Sequence, residues 1–460
     1  MRILLASLFL IVFLSFLATG CGSSSGNGGV AVAQSPSVAY FQWSDGTSGV
    51  ELGITDGTEL GTYLVRDIYI GTKNSLPTVN MTNEHVFMNG NSYFSALSRD
   101  DGYELWKSDG TYEGTQQVKD INPNGDSFPL DYAVLGSELL FNATSDATPE
   151  LWKTDGTESG TVRVIDFAQC ANPSYLTAAG SFVYFAGDGP GGVELWRTDG
   201  TTAGTVRVRD INAGGSSNPS RLVALGSTLY FRATDGVNGQ ELWKSDGTLA
   251  GTVMVKDSFP GADSSKPTLL TAAGSLVYFQ ATDGVNGQEL WVSDGTDAGT
   301  VMVKDINPGP GDSSIGGIRA LGSNVIFRAD DGINGTELWK SDGTAAGTVL
   351  LKDINPGAAD SYPSSLIVMG SVVLFRADNG TNGSELWRTD GTSAGTYLVK
   401  DIFPGRSSGH PQDMKLIANG IVFGAHNGTE GFEPWYSNGT ASGTFMVKDC
   451  CYGPENGWVP

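Results

Sequence analysis

The sequence predicts an all-β fold assembled from one repeated unit, and three observations lead to that prediction. Gly accounts for 64 of 460 residues, about twice its usual share of roughly 7%. The motif E-L-W-x-[ST]-D-G-T recurs along most of the chain. The chain also carries 10 Trp, 15 Tyr and 20 Phe, which is enough aromatic material for a core. These features exclude a disordered chain and a collagen-like helix.

The recurring motif places tryptophan in one slot of each unit, at spacings of 46, 44, 47 and then four times 48 residues. The eight tryptophans of this slot are Trp106, Trp152, Trp196, Trp243, Trp291, Trp339, Trp387 and Trp435. A ninth, degenerate copy at 51–58 has Gly53 in the slot. Because a repeated ring usually fills the space between stacked units, we interpret these tryptophans as structural. Sugar stacking on exposed rings is the alternative.

Each unit contains four short strands, as residues 221–257 illustrate. The strand-like runs are rich in β-branched and aromatic residues and are separated by glycine-containing turns. They are 221–225, 228–233, 240–244 and 252–257. Three links are short hairpins, and the link to the next unit is longer, as a chain needs when it crosses from an outer strand to the next inner one. A repeat near 48 residues with four antiparallel strands predicts a β-propeller.

Residues 30–451 are assigned to this propeller, with nine units; eight blades plus a partial unit is the alternative. We expect residues 30–33 to supply the first strand of the degenerate opening unit. Residues 452–460 are expected to form a tail over the seam. On this interpretation the ring closes by simple packing of the last blade on the first.

The beginning of the sequence predicts export. Residues 1–20 read as a lipoprotein signal peptide, with Arg2 as the positive charge ahead of a short apolar run. The run ends on small residues before Cys21, which resembles a bacterial lipobox and makes Cys21 the expected lipid attachment site. Residues 21–29 form a Gly/Ser tether. Because Gly22 replaces the Asp that retains lipoproteins at the inner membrane of enteric bacteria, we expect a lipid anchor in the outer membrane of the cell envelope.

The charge balance limits the classes of molecule that the protein can bind. The chain has 27 Lys+Arg against 50 Asp+Glu, a net charge of −23. A nucleic-acid-binding surface needs clustered Lys and Arg, so nucleic acid is excluded as a partner. We expect a monomer, and we assign no functional role to Cys170, Cys450 or Cys451.

One loop motif suggests calcium. The pattern Asp-Gly-x-Asn-Gly…Glu offers only oxygen ligands within seven residues, which suits Ca²⁺. The candidate ligands are Asp235, Asn238 and Glu241, then Asp283, Asn286 and Glu289, then Asp331, Asn334 and Glu337. The alternative is that Asp-Gly and Asn-Gly here form ordinary hairpin turns without a metal.

No catalytic residue is identified, and the protein is expected not to be an enzyme. The three histidines have no metal-binding spacing, and the two G-x-S-x-G matches lack the strand–turn–helix setting of a nucleophile. Arg232, Arg328 and Arg376 share one slot of the second strand. We expect each to pair across strands with the glutamate of the third strand, not to form a functional cluster.

The repeat resembles the bacterial ELWxxDGT repeat family, which is named for this motif. The resemblance covers about residues 40–449, although the last copy, 433–440, has Pro for Leu and Asn for Asp. Members of that family are exported or surface proteins, generally without an assigned activity. The resemblance therefore implies the fold and the location more than the function.

The expected function is binding. An anchored propeller with polar loops on one face suggests an adhesion-like module for an unidentified protein or glycan, with no cofactor apart from the calcium considered above. Two alternatives stay open: a glycan-processing enzyme that uses carboxylates at the central channel, and a scaffold for outer-membrane assembly.

Overall fold

The computed structural model describes residues 37–76, 85–166, 168–451 and 456–459. These residues form nine four-stranded antiparallel sheets arranged as the blades of a propeller. The predicted nine-bladed fold is thereby confirmed. The signal peptide, Cys21, the tether and the strand expected at 30–33 lie outside the described residues. In the described part of the chain, no helix has the length and hydrophobicity needed to cross a bilayer.

Each blade has an inner, a second, a third and an outer strand, counted from the central channel. Blade 1 takes its second, third and outer strands from β1 (Ala39–Ser44), β2 (Val50–Thr55) and β3 (Tyr63–Arg66). Blade 2 consists of β4 (Val86–Met88), β5 (Asn91–Ser98), β6 (Gly102–Ser108) and β7 (Gln116–Lys119). Blade 3 consists of β8 (Leu130–Leu135), β9 (Glu138–Thr144), β10 (Pro149–Thr154) and β11 (Val162–Ile165).

The remaining blades repeat this inner-to-outer order. Blade 4 contains β12 (Ala171–Ala179), β13 (Phe182–Gly189), β14 (Gly192–Thr198) and β15 (Val206–Arg209). Blade 5 contains β16 (Ser220–Leu225), β17 (Thr228–Thr234), β18 (Gln240–Ser245) and β19 (Val253–Lys256). Blade 6 contains β20 (Thr268–Ala273), β21 (Leu276–Thr282), β22 (Gln288–Ser293) and β23 (Val301–Lys304).

The last three blades are equally regular. Blade 7 contains β24 (Gly316–Leu321), β25 (Asn324–Asp330), β26 (Thr336–Ser341) and β27 (Val349–Lys352). Blade 8 contains β28 (Ser364–Met369), β29 (Val372–Asp378), β30 (Ser384–Thr389) and β31 (Tyr397–Lys400). Blade 9 contains β32 (Gln412–Ile417), β33 (Gly420–His426), β34 (Phe432–Ser437) and β35 (Thr444–Met446). The inner strands of neighbouring blades contact one another around the ring, which places them on the channel.

The core lies between blades, and the tryptophan slot fills it. All eight slot tryptophans are buried, with 4–8% of their surface exposed. Trp243 of blade 5, for example, packs against Tyr184 and Leu195 of blade 4. Such a ring buries about 200 Å² of apolar surface. The position between blades accounts for the repeat of this residue without a ligand.

The Asp-Gly-Thr segment is a self-contained turn. Asp246 Oδ1 accepts hydrogen bonds from the Thr248 amide at 2.8 Å and from its hydroxyl at 2.7 Å. Gly247 has φ +86°, which a side chain would strain. These contacts stay within the turn between the third and outer strands, so the motif shapes the blade.

Ring closure differs from the sequence-based expectation. The two residues of β36 (Trp458–Val459) pair with β1 in the register Gln42↔Val459 and Trp43↔Trp458. The part of the sequence expected to be a tail therefore supplies the inner strand of blade 1. The ring closes by pairing of this C-terminal strand with the first blade as well as by packing. This strand holds the first and last blades together through backbone hydrogen bonds.

Aromatic packing explains why this exchange is specific. The Trp458 ring is fully buried and stacks on Phe41, with ring centroids 4.4 Å apart and planes 5° from parallel. Gly424 of blade 9 leaves room for it, since a Cβ there would lie 2.4 Å from the Trp458 ring. Lys448 Nζ lies 5.5 Å above Trp43, as Lys304 lies above the slot tryptophan Trp339 of the next blade. Trp43 thus provides in blade 1 the ring that Gly53 lacks.

Candidate binding face at the channel mouth

Two sets of loops share one face of the propeller. The loops between second and third strands meet the crossing loops, which run from an outer strand to the next inner strand. In blade 5 the Gln240 amide donates to Ser264 Oγ at 2.9 Å, and the Lys266 amide donates to the Gln240 carbonyl at 3.2 Å. We call this surface the crossing face; the opposite face carries the Asp-Gly-Thr turns.

A buried glutamate at the start of each third strand organises this face. These side chains have at most 2% of their surface exposed, and they are Glu51, Glu104, Glu150, Glu194, Glu241, Glu289, Glu337, Glu385 and Glu433. Glu337 is representative: Oε2 accepts from the Ile354 amide and from Ser361 Oγ, both at 2.7 Å, while Oε1 accepts from the Ser361 amide at 3.1 Å. The carboxylate therefore fixes both ends of the crossing loop.

Blade 3 is the exception among the described blades. Glu150 forms an ion pair with Arg163 at 2.8 Å and accepts from Ser145 Oγ at 2.7 Å. The connection that follows, between β11 and β12, is much shorter than the other crossing loops. Because this connection is short, it brings no serine of its own back to the Glu150 carboxylate. Arg163 and Ser145 bond the carboxylate instead.

Each crossing loop of blades 3 to 9 ends in residues with left-handed backbone conformation. The first position of each, at or near the start of the inner strand, is occupied by Phe128, Asn172, Asn218, Lys266, Ser314, Tyr362 or His410. The second position, three residues on, is occupied by Asp131, Tyr175, Arg221, Leu269, Gly317, Ser365 or Asp413. We call these fourteen residues the mouth positions. Positive φ is uncommon for residues other than glycine, and thirteen of the fourteen are not glycine.

The surrounding contacts hold this conformation in place. The amides of Ser361 and Tyr362 both donate to the Thr336 carbonyl, at 3.1 and 3.3 Å, and the following Pro363 is buried. The second mouth position lies in a β-bulge of the inner strand, as the register shift between Ser220 and Val223 around Arg221 shows. A non-glycine residue held this way costs about 1–3 kcal/mol, and such strain clusters at functional sites.

The mouth positions display side chains of many kinds on one constant frame. Tyr362 is 60% exposed, Tyr175 49% and Phe128 41%. The blade skeleton repeats almost unchanged, whereas the side chains here range from aromatic to basic, acidic and amide. Since the inner strands border the channel, these side chains surround its opening on the crossing face.

The third-strand glutamates make stability depend on pH. Burial raises the pKa to about 7 for Glu51, Glu104, Glu241, Glu289, Glu337, Glu385 and Glu433. The folded protein therefore binds more protons than the unfolded chain between about pH 4.5 and pH 7. The stability this provides is complete below about pH 4.5 and is lost as the pH rises through 7. We expect the melting temperature to fall from pH 5 to pH 8, measured by differential scanning calorimetry.

A matched pair of variants separates this effect from general charge repulsion. Glu337→Gln removes one titrating group, so the melting temperature of this variant should fall less steeply with pH than that of the wild type. The exposed Glu113→Gln variant should keep the wild-type slope. A melting temperature that climbs between pH 5 and pH 8 would contradict the assignment.

The calcium hypothesis does not fit these residues. Asp235 Oδ1 accepts from the amides of Val237 and Asn238, and its Oδ2 accepts from Asn238 Nδ2 at 2.7 Å. Glu241 instead bonds the crossing loop through Ser258 and Ser265. The sets at Asp283, Asn286 and Glu289 and at Asp331, Asn334 and Glu337 show the same division. In the described chain no group of three or more His, Cys, Asp or Glu could hold a metal ion. The motif forms an ordinary turn here.

The expected pairing of the slot arginines with glutamate is wrong. Arg232 lies opposite Leu242 on the third strand, and Glu241 is directed to the crossing loop. On its other side Arg232 lies opposite Ser220 of the inner strand, and its Nε donates to Ser220 Oγ at 3.2 Å. The register places Arg232 next to the inner strand, which carries the second mouth position of this blade, Arg221.

Sequence reasoning missed the mouth positions and the closing strand. The sequence did contain a signal for the mouth positions. In six of seven crossing loops the first mouth position precedes proline, as in Tyr362-Pro363 and Asn218-Pro219. That repeated dipeptide marks a fixed loop end. The closing strand has no such signal, because only two residues pair.

Among known proteins, several solved structures resemble the chain. No family model matches the chain, and no curated protein matches it. Solved structures that it resembles include a Mycobacterium tuberculosis puromycin-hydrolyzing peptidase, with 9% identity, a TM-score of 0.40, and 72% of this chain and 55% of the other covered. A structure from a study of two prolyl endopeptidases has 15% identity and a TM-score of 0.41, with 75% of this chain and 54% of the other covered. TolB from Acinetobacter baumannii has 13% identity, a TM-score of 0.32, and 56% and 61% covered.

The chain spans little more than half the length of the first solved structures it matches, between 55% and 58%. Scores of this size support no conclusion about activity, substrate or partner.

Proposed function

We propose that the protein is a lipid-anchored propeller of the bacterial cell envelope that binds a ligand through the mouth positions. The lipid anchor rests on the sequence around Cys21. The binding role is carried by one observation: thirteen non-glycine residues hold strained backbone conformations at the channel opening, and eleven of them present exposed side chains there. Strain that is repeated around a ring and gives no core packing suggests selection for display.

The position of these residues supports binding by one face. The core between blades is filled by the tryptophans and phenylalanines together with buried aliphatic side chains, and the opposite face has turns whose polar groups bond internally. The mouth side chains lie outside this core, and loops on a rigid scaffold are the usual location of binding residues. A ligand that covers the channel opening would contact several blades at once.

The experiment is a binding screen with glycans and envelope proteins, using unanchored Cys21→Ser protein with and without Ca²⁺. We expect a ligand whose affinity falls at least tenfold in Tyr175→Gly and Tyr362→Gly variants. Glycine suits the left-handed conformation, as Gly317 already shows at the second position, so these variants should fold normally. The control is Leu249→Ala, which removes an exposed side chain on the opposite face.

Three results would overturn the proposal. One is binding lost in Leu249→Ala and kept in both tyrosine variants. Another is turnover of a glycan substrate without stable binding, which would favour the enzyme alternative. The third is wild-type protein that stays in the soluble fraction like Cys21→Ser, which would remove the lipid anchor.

A further inference from the structure

Three arginines on the channel side of blades 5, 7 and 8 lack a carboxylate partner. Arg232, Arg328 and Arg376 are half-buried, and none of them forms an ion pair with any described carboxylate. We call these three residues the arginine row. Gln280 takes the same position in blade 6, so the row spans blades 5 to 8 with an uncharged residue in blade 6.

The protein bonds these guanidinium groups only weakly. Arg232 Nε donates to Ser220 Oγ at 3.2 Å, and Arg376 Nε donates to Ser364 Oγ at 3.1 Å. Arg328 lies against Gly316, where a Cβ would be 2.4 Å from its Nε, so blade 7 offers no hydroxyl at that place. The terminal nitrogens, which form the two-pronged edge that recognises carboxylates and sulfates, are not engaged by the described residues.

A half-buried arginine without a carboxylate partner loses hydration without compensation, and this is unexpected in a chain with so many acidic residues. With 50 Asp and Glu against 27 Lys and Arg, a carboxylate would be the expected neighbour of a half-buried arginine. Burial lowers the pKa of Arg232 and Arg376, and in Arg232 the nearby Arg221 lowers it further. Exposed Lys266 adds positive charge at a mouth position. These partly desolvated guanidinium groups have no ion-pair partner among the described residues, and an anionic ligand would offset the desolvation.

A pocket beside Arg232 suggests what kind of anion fits. It has a volume of about 300 Å³, and its lining combines the guanidinium with the ring of Tyr175, the hydroxyl of Ser220 and the amides of Asn218 and Gln240. That size is at the lower end for small-molecule sites. An aromatic face, amide and hydroxyl groups next to a guanidinium match a sugar ring, its hydroxyls and an acidic substituent.

We propose that the arginine row binds an acidic polysaccharide, with acidic groups of the polymer on blades 5, 7 and 8. The inference depends on the proposed binding function and specifies its ligand. A single small anion would need one arginine, whereas three arginines distributed over blades 5 to 8 suit a polymer that carries several acidic groups. Carboxylate and sulfate share the chemistry that arginine recognises, and the test distinguishes them.

The test measures binding of polygalacturonate, dextran sulfate and neutral dextran by biolayer interferometry. We expect one or both of the anionic polymers to bind and dextran not to bind. The triple variant Arg232→Gln, Arg328→Gln and Arg376→Gln should lose at least tenfold in affinity. Glutamine is native at this position in blade 6, where Gln280 bonds Thr268, so the variant should keep the wild-type melting temperature.

The control variant has the same net charge. Lys73→Gln, Arg99→Gln and Arg406→Gln also remove three positive charges, from exposed loops of the same face, and should leave affinity within twofold of the wild type. Equal losses in both triple variants would show unspecific charge attraction and overturn the inference. Binding of neutral glycans or an envelope protein, with no binding of either polyanion, would overturn it while leaving the proposed function standing.

Discussion

Replacement of Trp458 by Ala is expected to lower the free energy of unfolding by about 3–5 kcal/mol, the usual cost of removing a large buried ring. Trp458 is fully buried between Phe41 and Gly424, and it belongs to the strand that joins blade 1 to the end of the ring. Its loss removes packing and loosens the closing strand together. Chemical denaturation followed by tryptophan fluorescence and circular dichroism measures the change.

Two further variants identify the cause. Trp458→Phe keeps an aromatic ring on Phe41 and should lose less stability than the alanine variant. Gly424→Val puts atoms where the Trp458 ring lies, so it should destabilise alone but add little to Trp458→Ala, because the two changes act on one site. Additive losses in the double variant, or a Trp458→Ala protein as stable as the wild type, would show that closure depends on other contacts.

Replacement of Glu337 by Ala is expected to cost a similar amount, about 3–5 kcal/mol, because two buried amides and a hydroxyl lose their acceptor at about 1–3 kcal/mol each, less what water can replace. The orphaned donors belong to Ile354 and Ser361, at the two ends of the crossing loop. We also expect faster amide hydrogen exchange in residues 353–362, since the loop would no longer be fixed.

Two comparisons check this explanation. Glu337→Gln keeps one acceptor oxygen and should lose less stability than the alanine variant. Glu113→Ala, at an exposed turn on the opposite face, should change neither stability nor exchange. If Glu337→Ala melts at the wild-type temperature, the carboxylate does not hold the loop.

The repeat allowed much of the fold to be predicted. The runs 221–225, 228–233, 240–244 and 252–257 correspond to β16–β19 within one residue at most ends. Their accuracy comes from local physics: alternating apolar residues and glycine turns determine each strand independently of the rest of the ring. The crossing loops could likewise be placed because they are long and polar.

The errors have a different origin. The pairing of Arg232 with Glu241 failed because neighbouring residues of a strand point to opposite faces, and the register puts Ala233, not Arg232, opposite Glu241. The calcium sets do not come together, because Glu241 is buried and bonds the crossing loop instead of the turn. Left-handed conformation at residues such as Leu269 has no local cause in the side chain; it belongs to a bulge between the pairs Thr268↔Gln280 and Thr271↔Tyr278, which only the assembled blade provides.

Closure by β36 also determines the order in which the molecule can fold. Lys448 and Thr62, which contact each other across the seam, are 386 positions apart in the sequence, and contacts of such long range form slowly. Blades 2 to 9 can form as the chain emerges, each on its predecessor, but blade 1 has to wait with an open strand edge until residues 458–459 arrive. An open edge of this kind pairs readily with other chains. The interval before the last strand binds is therefore when the open edge leaves this protein most exposed to aggregation.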